Sequence, residues 1–206
     1  MKQKILTMLQ MQDAMNTRVN ENWRVQGFEW YRAIWIESAE LLDHYGWKWW
    51  KKQEPDREQV ILELIDIWHF GLSTLLTENS DNDKISEHIE KELTIVPAGQ
   101  DFGLALEDFA RQTLLNKQFN LPEFGKLMFE MQLDFSQLYR SYVGKNVLNF
   151  FRQDHGYQDG SYVKIWGGKE DNEHLVEIVE GLDDSRNDFR EAVYQGLTSR
   201  YESLAI

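Results

Sequence analysis

Proline stands at only three places in the 206 residues, Pro55, Pro97 and Pro122, and a residue that fixes φ and lacks an N–H breaks a helix wherever it falls inside one. The stretches between are long. Their apolar residues recur at threes and fours rather than alternating, the spacing that lines up side chains on one face of an α-helix. The expected fold is all-α, a helical bundle. Ile5, Met8, Leu9, Met11 and Met15 stripe a first helix over residues 2–18, and a second runs over Trp30–Tyr45 and stops near Gly46. Pro55 and Asp56 stop and cap a third, which reaches Thr77 before the SDND run at 80–83 interrupts it. TIVPAGQ, residues 94–100, reads as a loop ahead of a helix over 101–117. Asn120 then caps a helix with Pro122 in its first turn, and the stripe Phe124, Leu127, Met128, Met131, Phe135, Leu138 and Tyr139 carries on as one element. Residues 170–182 and Asp184 to about Ser203 then read as one or two amphipathic helices. No repeat and no long linker divides residues 1–206, so they read as one domain with a variable segment at 80–120.

Composition removes several chemistries. The chain has no cysteine, hence no disulfide, thiolate zinc site, iron–sulfur cluster or thiol nucleophile. Its net charge of −13 repels nucleic-acid phosphate, so direct nucleic-acid binding is not expected. The richest apolar region, 60–76, is broken by Glu63, Asp66 and His69 and is not expected to cross a membrane. The first residues turn polar too soon for a secretory signal, which makes a cytoplasmic protein the default expectation.

The second helix, WYRAIWIESAELLDHY, is apolar nearly all round apart from Glu37 and Glu40, and such a helix is normally buried. The third repeats the pattern, with Glu63 and Asp66 set among Ile61, Leu62, Leu64, Ile65, Ile67 and Trp68. Residues three apart on a helix are neighbours, so each pair brings two like charges together. Buried carboxylates without compensation cost several kcal/mol each. A solvated face is the plain explanation of one such pair; two matching pairs in apolar walls point to a cation. Hard oxygen ligands without cysteine suit Mg²⁺ or Mn²⁺, with waters and substrate phosphates completing the shell. Asp66 and His69 also imitate half of a di-iron motif, but neither Glu37 nor Glu40 on the second helix has a histidine three residues on.

Residues 144–169 reverse the chain's charge, with Lys145, Arg152, Lys164 and Lys169 against Asp154 and Asp159, and hold five of the thirteen glycines. On a helix over 144–153, Lys145, Asn149 and Arg152 share a face. Tyr157 and Lys164 sit where a glycine-containing loop can fold over a phosphate chain. An ordinary charged loop accounts for the same composition. Taken alone, Gln12 and Asn16 read as surface amides, Trp47, Trp49 and Trp50 as core or interface, and His69 as a hydrogen-bonded core histidine.

Four segments change that balance: MQDAMN at 11–16, ESAELLD at 37–43 followed by WKWWK at 47–51, ELIDIWHF at 63–70, and YVGKNVLNFFRQDHGYQDGSYVKIWGGKEDNE at 142–173. Together they resemble the dimeric, all-α dUTPases, within the wider all-α nucleoside triphosphate pyrophosphatases. The resemblance implies hydrolysis of dUTP, with dUDP as a further substrate, to dUMP by a homodimer. It implies that Glu37, Glu40, Glu63 and Asp66 hold Mg²⁺ on the phosphates, one glutamate also orienting the attacking water. Gln12, Asn16 and His69 are implied near the base, with Trp47 or Trp50 as an aromatic wall and Asn149 at the sugar or base. Lys145, Arg152, Tyr157, Lys164 and Lys169 are implied around the phosphates. The competing expectations are a dCTP or broad-specificity house-cleaning hydrolase, and a regulatory protein that binds nucleotide without turning it over.

Overall fold

Side-chain oxygens start several of the helices by taking N–H groups that the first turn leaves unpaired. The computed structural model describes residues 1–183 and 188–204. Its helices are α1 (Lys2–Val19), α2 (Trp30–Tyr45), α3 (Arg57–Glu78), α4 (Asn82–Leu93), α5 (Phe102–Asn116), α6 (Leu121–Glu130), α7 (Phe135–Asp154), α8 (Asp171–Glu180) and α9 (Phe189–Leu204). Asp56, Asp101 and Asn120 each accept from the backbone N–H three residues on, at 3.1 Å. Gly46 ends α2 at φ +84, a left-handed conformation that costs glycine nothing. The all-α expectation is borne out, and these helix starts fall where the sequence placed them. Asp184, expected to open the last helix, lies outside the described residues.

The chain forms two compact units, Met1–Leu138 and Tyr139–Ile206. In the first, α3 is the core element. It lies along α2 and also meets α1 and α4, while α5 packs on α2 and α6. By length and composition α3 is apolar enough to span a bilayer, yet most of it is buried inside the protein, as suits a core helix. Its Trp68 stacks on Phe124 at 5.3 Å, and Phe109 and Phe119 complete an aromatic cluster. In the second unit, Phe151 of α7, Trp166, Val193 and Leu197 are fully buried.

Four expectations need correction. The stripe from Phe124 to Tyr139 is two helices, not one. Gln132 turns left-handed at φ +52, and Asp134 and Gln137 then form a reciprocal cap, each side chain accepting from the other's backbone N–H; the sequence DFSQ is a capping box. The SDND run does more than end α3, because Asp81 accepts from the N–H groups of Asp83 and Lys84 and starts α4. A short hairpin pairs β1 (Ile165–Trp166) with β2 (Lys169–Glu170) across two left-handed glycines, the turn that Gly-Gly favours. Finally, α2 buries only Ile34, Ser38 and Leu41. Trp35 and Ile36 stay 46% and 50% exposed, because within the unit only one face of α2 meets other helices.

Candidate active site

Glu63 and Asp66 sit one turn apart on α3, and the alignment of α2 against α3 brings Glu37 to the same place. Carboxylate oxygens of these three residues lie within 4.8 Å of one another. Glu63 is buried and the other two are half-buried. Burial first, then the charge of Asp66, a hydrogen bond to Glu63, and the charges of Glu63 and Glu40, push the Glu37 carboxyl up to about 8. A site whose acid resists ionisation this strongly lacks positive charge, and an all-oxygen donor set suits a hard divalent cation. The residues fit the ion that the sequence anticipated. Glu40 is not drawn into the cluster: its side chain is exposed and acts on Glu37 only through its charge. His44, not anticipated, places Nε2 3.6 Å from the Glu63 carboxylate.

On the neighbouring turns of α3 a buried polar network joins α1. Gln12 Nε2 donates to Asn16 Oδ1 at 3.0 Å and to Ser73 Oγ at 3.1 Å, and Asn16 Nδ2 donates to the same Ser73 oxygen at 2.9 Å. Gln12 Oε1 lies 2.8 Å from His69 Nδ1. Gln12, Asn16 and His69 are thus brought together and buried, against the surface reading of the two amides. His69 is not among the residues whose ligand atoms cluster with the Glu37, Glu63 and Asp66 carboxylates, which disfavours the di-iron pattern. Trp47 and Trp50 are half-exposed and meet edge to face at 5.1 Å. Trp49, beside them, is the most exposed of the three.

The second unit assembles its own cluster. Lys145, Asn149 and Arg152 share one face of α7 as the spacing required. Arg152 donates from Nε and Nη2 to the two oxygens of Asp171, both at 2.8 Å, and from Nη1 to Asn149 Oδ1 at 3.3 Å. Tyr162 O–H donates to Asp171 as well, at 2.8 Å, and the Tyr157 ring lies 5.8 Å from the guanidinium. Lys145 is buried and donates to Asn172 at 3.1 Å. The Lys164 and Lys169 ammonium groups lie in exposed ion pairs with Glu170 and Glu177, pairs that hold little energy and exchange readily, although the Lys164 carbonyl accepts from Asp171 N–H at 3.0 Å and its charge reaches the Asp171 carboxyl. Asp171 and Asn172 were missed because an acidic EDNE run reads as ordinary charge at a helix start, and Tyr162 because a lone tyrosine after a Gly-Ser turn carries no signal of its own.

These clusters fall largely within one match. A family model described as dUTPase covers residues 4–157, a span that includes all four carboxylates, the amide network and the face of α7. The chain belongs to the dimeric, all-α dUTPase family. Membership carries dUTP hydrolysis, the dUTP diphosphatase activity, in a family that is generally divalent-metal dependent. A search of curated proteins returned no match. The dUTPase match ends at Tyr157, so Tyr162, Lys164, Lys169 and Asp171 stand beyond it.

Proposed function

We propose that the protein is a Mg²⁺-dependent dUTPase that converts dUTP to dUMP and pyrophosphate, accepts dUDP, and acts as a homodimer. The observation that carries this reading is the Glu37, Glu63 and Asp66 cluster, whose raised Glu37 marks a place for a cation in a chain of dUTPase ancestry. Glu37, Glu63 and Asp66 would hold Mg²⁺, with Glu40 at the exposed rim adding its charge rather than a ligand and Mn²⁺ as a substitute. The ion supplies charge neutralisation on the phosphates and acidifies water. A glutamate of the cluster orients the attacking water and takes its proton, the water oxygen bonds to phosphorus, and the bond between the α- and β-phosphoryl groups breaks.

Uracil carries an N3–H donor between two carbonyl acceptors, and the amide of Asn16 or Gln12 offers the complementary acceptor and donor. His69 lies beside them, Trp47 or Trp50 serves as an aromatic wall, and Asn149 takes the sugar or base. Lys145, Arg152, Tyr157, Lys164 and Lys169 are the proposed phosphate contacts. Arg152 suits that role because Asp171 fixes its Nε/Nη2 edge, which pre-orients the guanidinium. The exposed Trp35 and Ile36 of α2 supply apolar surface of the kind a second subunit covers.

The test is product release from dUTP, dCTP, dTTP and UTP, with Mg²⁺ and with chelator. Conversion of dUTP alone, abolished by chelator, is the expected result. Equal turnover of dCTP would replace the uracil reading with a broad house-cleaning hydrolase, and binding without turnover would make the protein a nucleotide-responsive regulator.

A further inference from the structure

A side-chain amide reads bases ambiguously. Presented one way, its oxygen accepts from uracil N3–H while its nitrogen donates to a uracil carbonyl. Turned by 180°, the same amide donates to cytosine N3 and accepts from the cytosine amino group. An amide that turns freely therefore fits both bases, and only one held in a fixed sense discriminates.

The chain of bonds from Asn16 through Gln12 to His69 does not fix that sense by itself. Gln12 Nε2 donates to Asn16 Oδ1, and His69 Nδ1 donates to Gln12 Oε1, so the imidazole carries its proton on Nδ1. If both amides turned and the imidazole moved its proton to Nε2, the same two contacts would be bonded in reverse. Ser73 breaks this symmetry. Its hydroxyl proton goes to the His69 carbonyl at 3.0 Å, so its oxygen can only accept, and both amide nitrogens point at it, at 3.1 and 2.9 Å. Reversal would set two amide oxygens against a hydroxyl that has one proton, already committed. Ser73 is fully buried, so water cannot relieve that conflict.

We propose that Ser73 is a specificity-determining positioning residue: it fixes the donor and acceptor sense of Gln12 and Asn16 and so makes a uracil pocket of a network that would otherwise accept cytosine equally. The proposal rests on the base-reading role of Gln12 and Asn16 given above.

The test compares kcat/KM for dUTP and dCTP in Ser73→Ala, Ser73→Cys, Ser73→Thr and Asn16→Ala, with far-ultraviolet circular dichroism and Tm as folding controls. Ser73→Ala is expected to lower the dUTP preference by at least about tenfold, the worth of one buried hydrogen bond, chiefly by raising dCTP turnover. Ser73→Thr keeps the oxygen and should keep the preference. Ser73→Cys is close in volume but a weak acceptor, and is expected to lose the preference even if the alanine variant does not fold. A residue that serves packing alone would move Tm and leave the ratio unchanged. An unchanged ratio in Ser73→Ala and Ser73→Cys, with a collapsed ratio in Asn16→Ala, overturns the role of Ser73 while leaving the base-reading intact. An unchanged ratio in Asn16→Ala overturns the base-reading itself, and the role of Ser73 with it.

Discussion

Arg152 and Asp171 meet through two parallel hydrogen bonds of 2.8 Å, with the carboxylate wholly buried. Removing one partner of such a pair strands the other charge, so Asp171→Ala should cost about 3–5 kcal/mol in urea denaturation. The pair also predicts an acid limit. Burial raises the Asp171 carboxyl, but the hydrogen bonds and charge of Arg152 outweigh it and hold the group below its ordinary value of 3.8. A carboxyl depressed in the folded state stabilises above its unfolded pKa and loses that contribution as pH falls through the folded value. Wild type should lose stability below about pH 4 more steeply than Asp171→Asn, and parallel curves would count against the pair.

Glu37 predicts the opposite slope. Its carboxyl stands near 8 when folded against an ordinary value of 4.5, so between those values the folded protein holds a proton that the unfolded chain has released. In chelator, stability should therefore fall as pH rises from 4.5 to 8, and Glu37→Gln should flatten that decline. Added Mg²⁺ competes with the proton, so its stabilisation of the wild type should grow with pH through the same window. Thermal denaturation across pH, with and without Mg²⁺, reads both effects.

Asp66→Asn preserves the shape of a ligand and removes its charge. Turnover of dUTP should drop by more than about a hundredfold, as when a group aimed at developing charge is lost, while the helical spectrum is retained. Glu40→Gln, at the exposed rim, should lose less. Steady-state rates at saturating Mg²⁺ separate the two, and wild-type activity in Asp66→Asn would remove the cluster from catalysis.

Gly71 faces the Phe119 ring so closely that an added Cβ would stand 2.8 Å from it. In an exposed helix, glycine to alanine gains about 1 kcal/mol. Here the ring is confined by Trp68, Phe109 and Phe124, and overpacking costs about 1–3 kcal/mol. Gly71→Ala should therefore lower Tm by several degrees rather than raise it.

The helix starts at Asp56, Asp101 and Asn120 and the stop at Gly46 were legible because capping is local: the side chain and the N–H groups it serves are a few residues apart. The two acid pairs were legible for the same reason, since a spacing of three fixes a shared face before any packing exists. The break between α6 and α7 was written locally too, in DFSQ, but a continuous apolar stripe outweighed it. α2 misled because an all-apolar helix states that it will be covered, not by what.

By itself the sequence determined the helical class, most of the helix boundaries, the carboxylate pairs and the dUTPase resemblance, all of which depend on residue type at short separation. Tertiary structure decided that Glu37 joins Glu63 and Asp66 while Glu40 stays outside, that Ser73 holds two amides from another helix, and that Asp171 grips Arg152. Those relationships join residues between 19 and 61 positions apart. Whether distant groups meet depends on how helices rotate and pack against one another, and the free energy that sets this is shared across the whole interface, not carried by the residues that make the site.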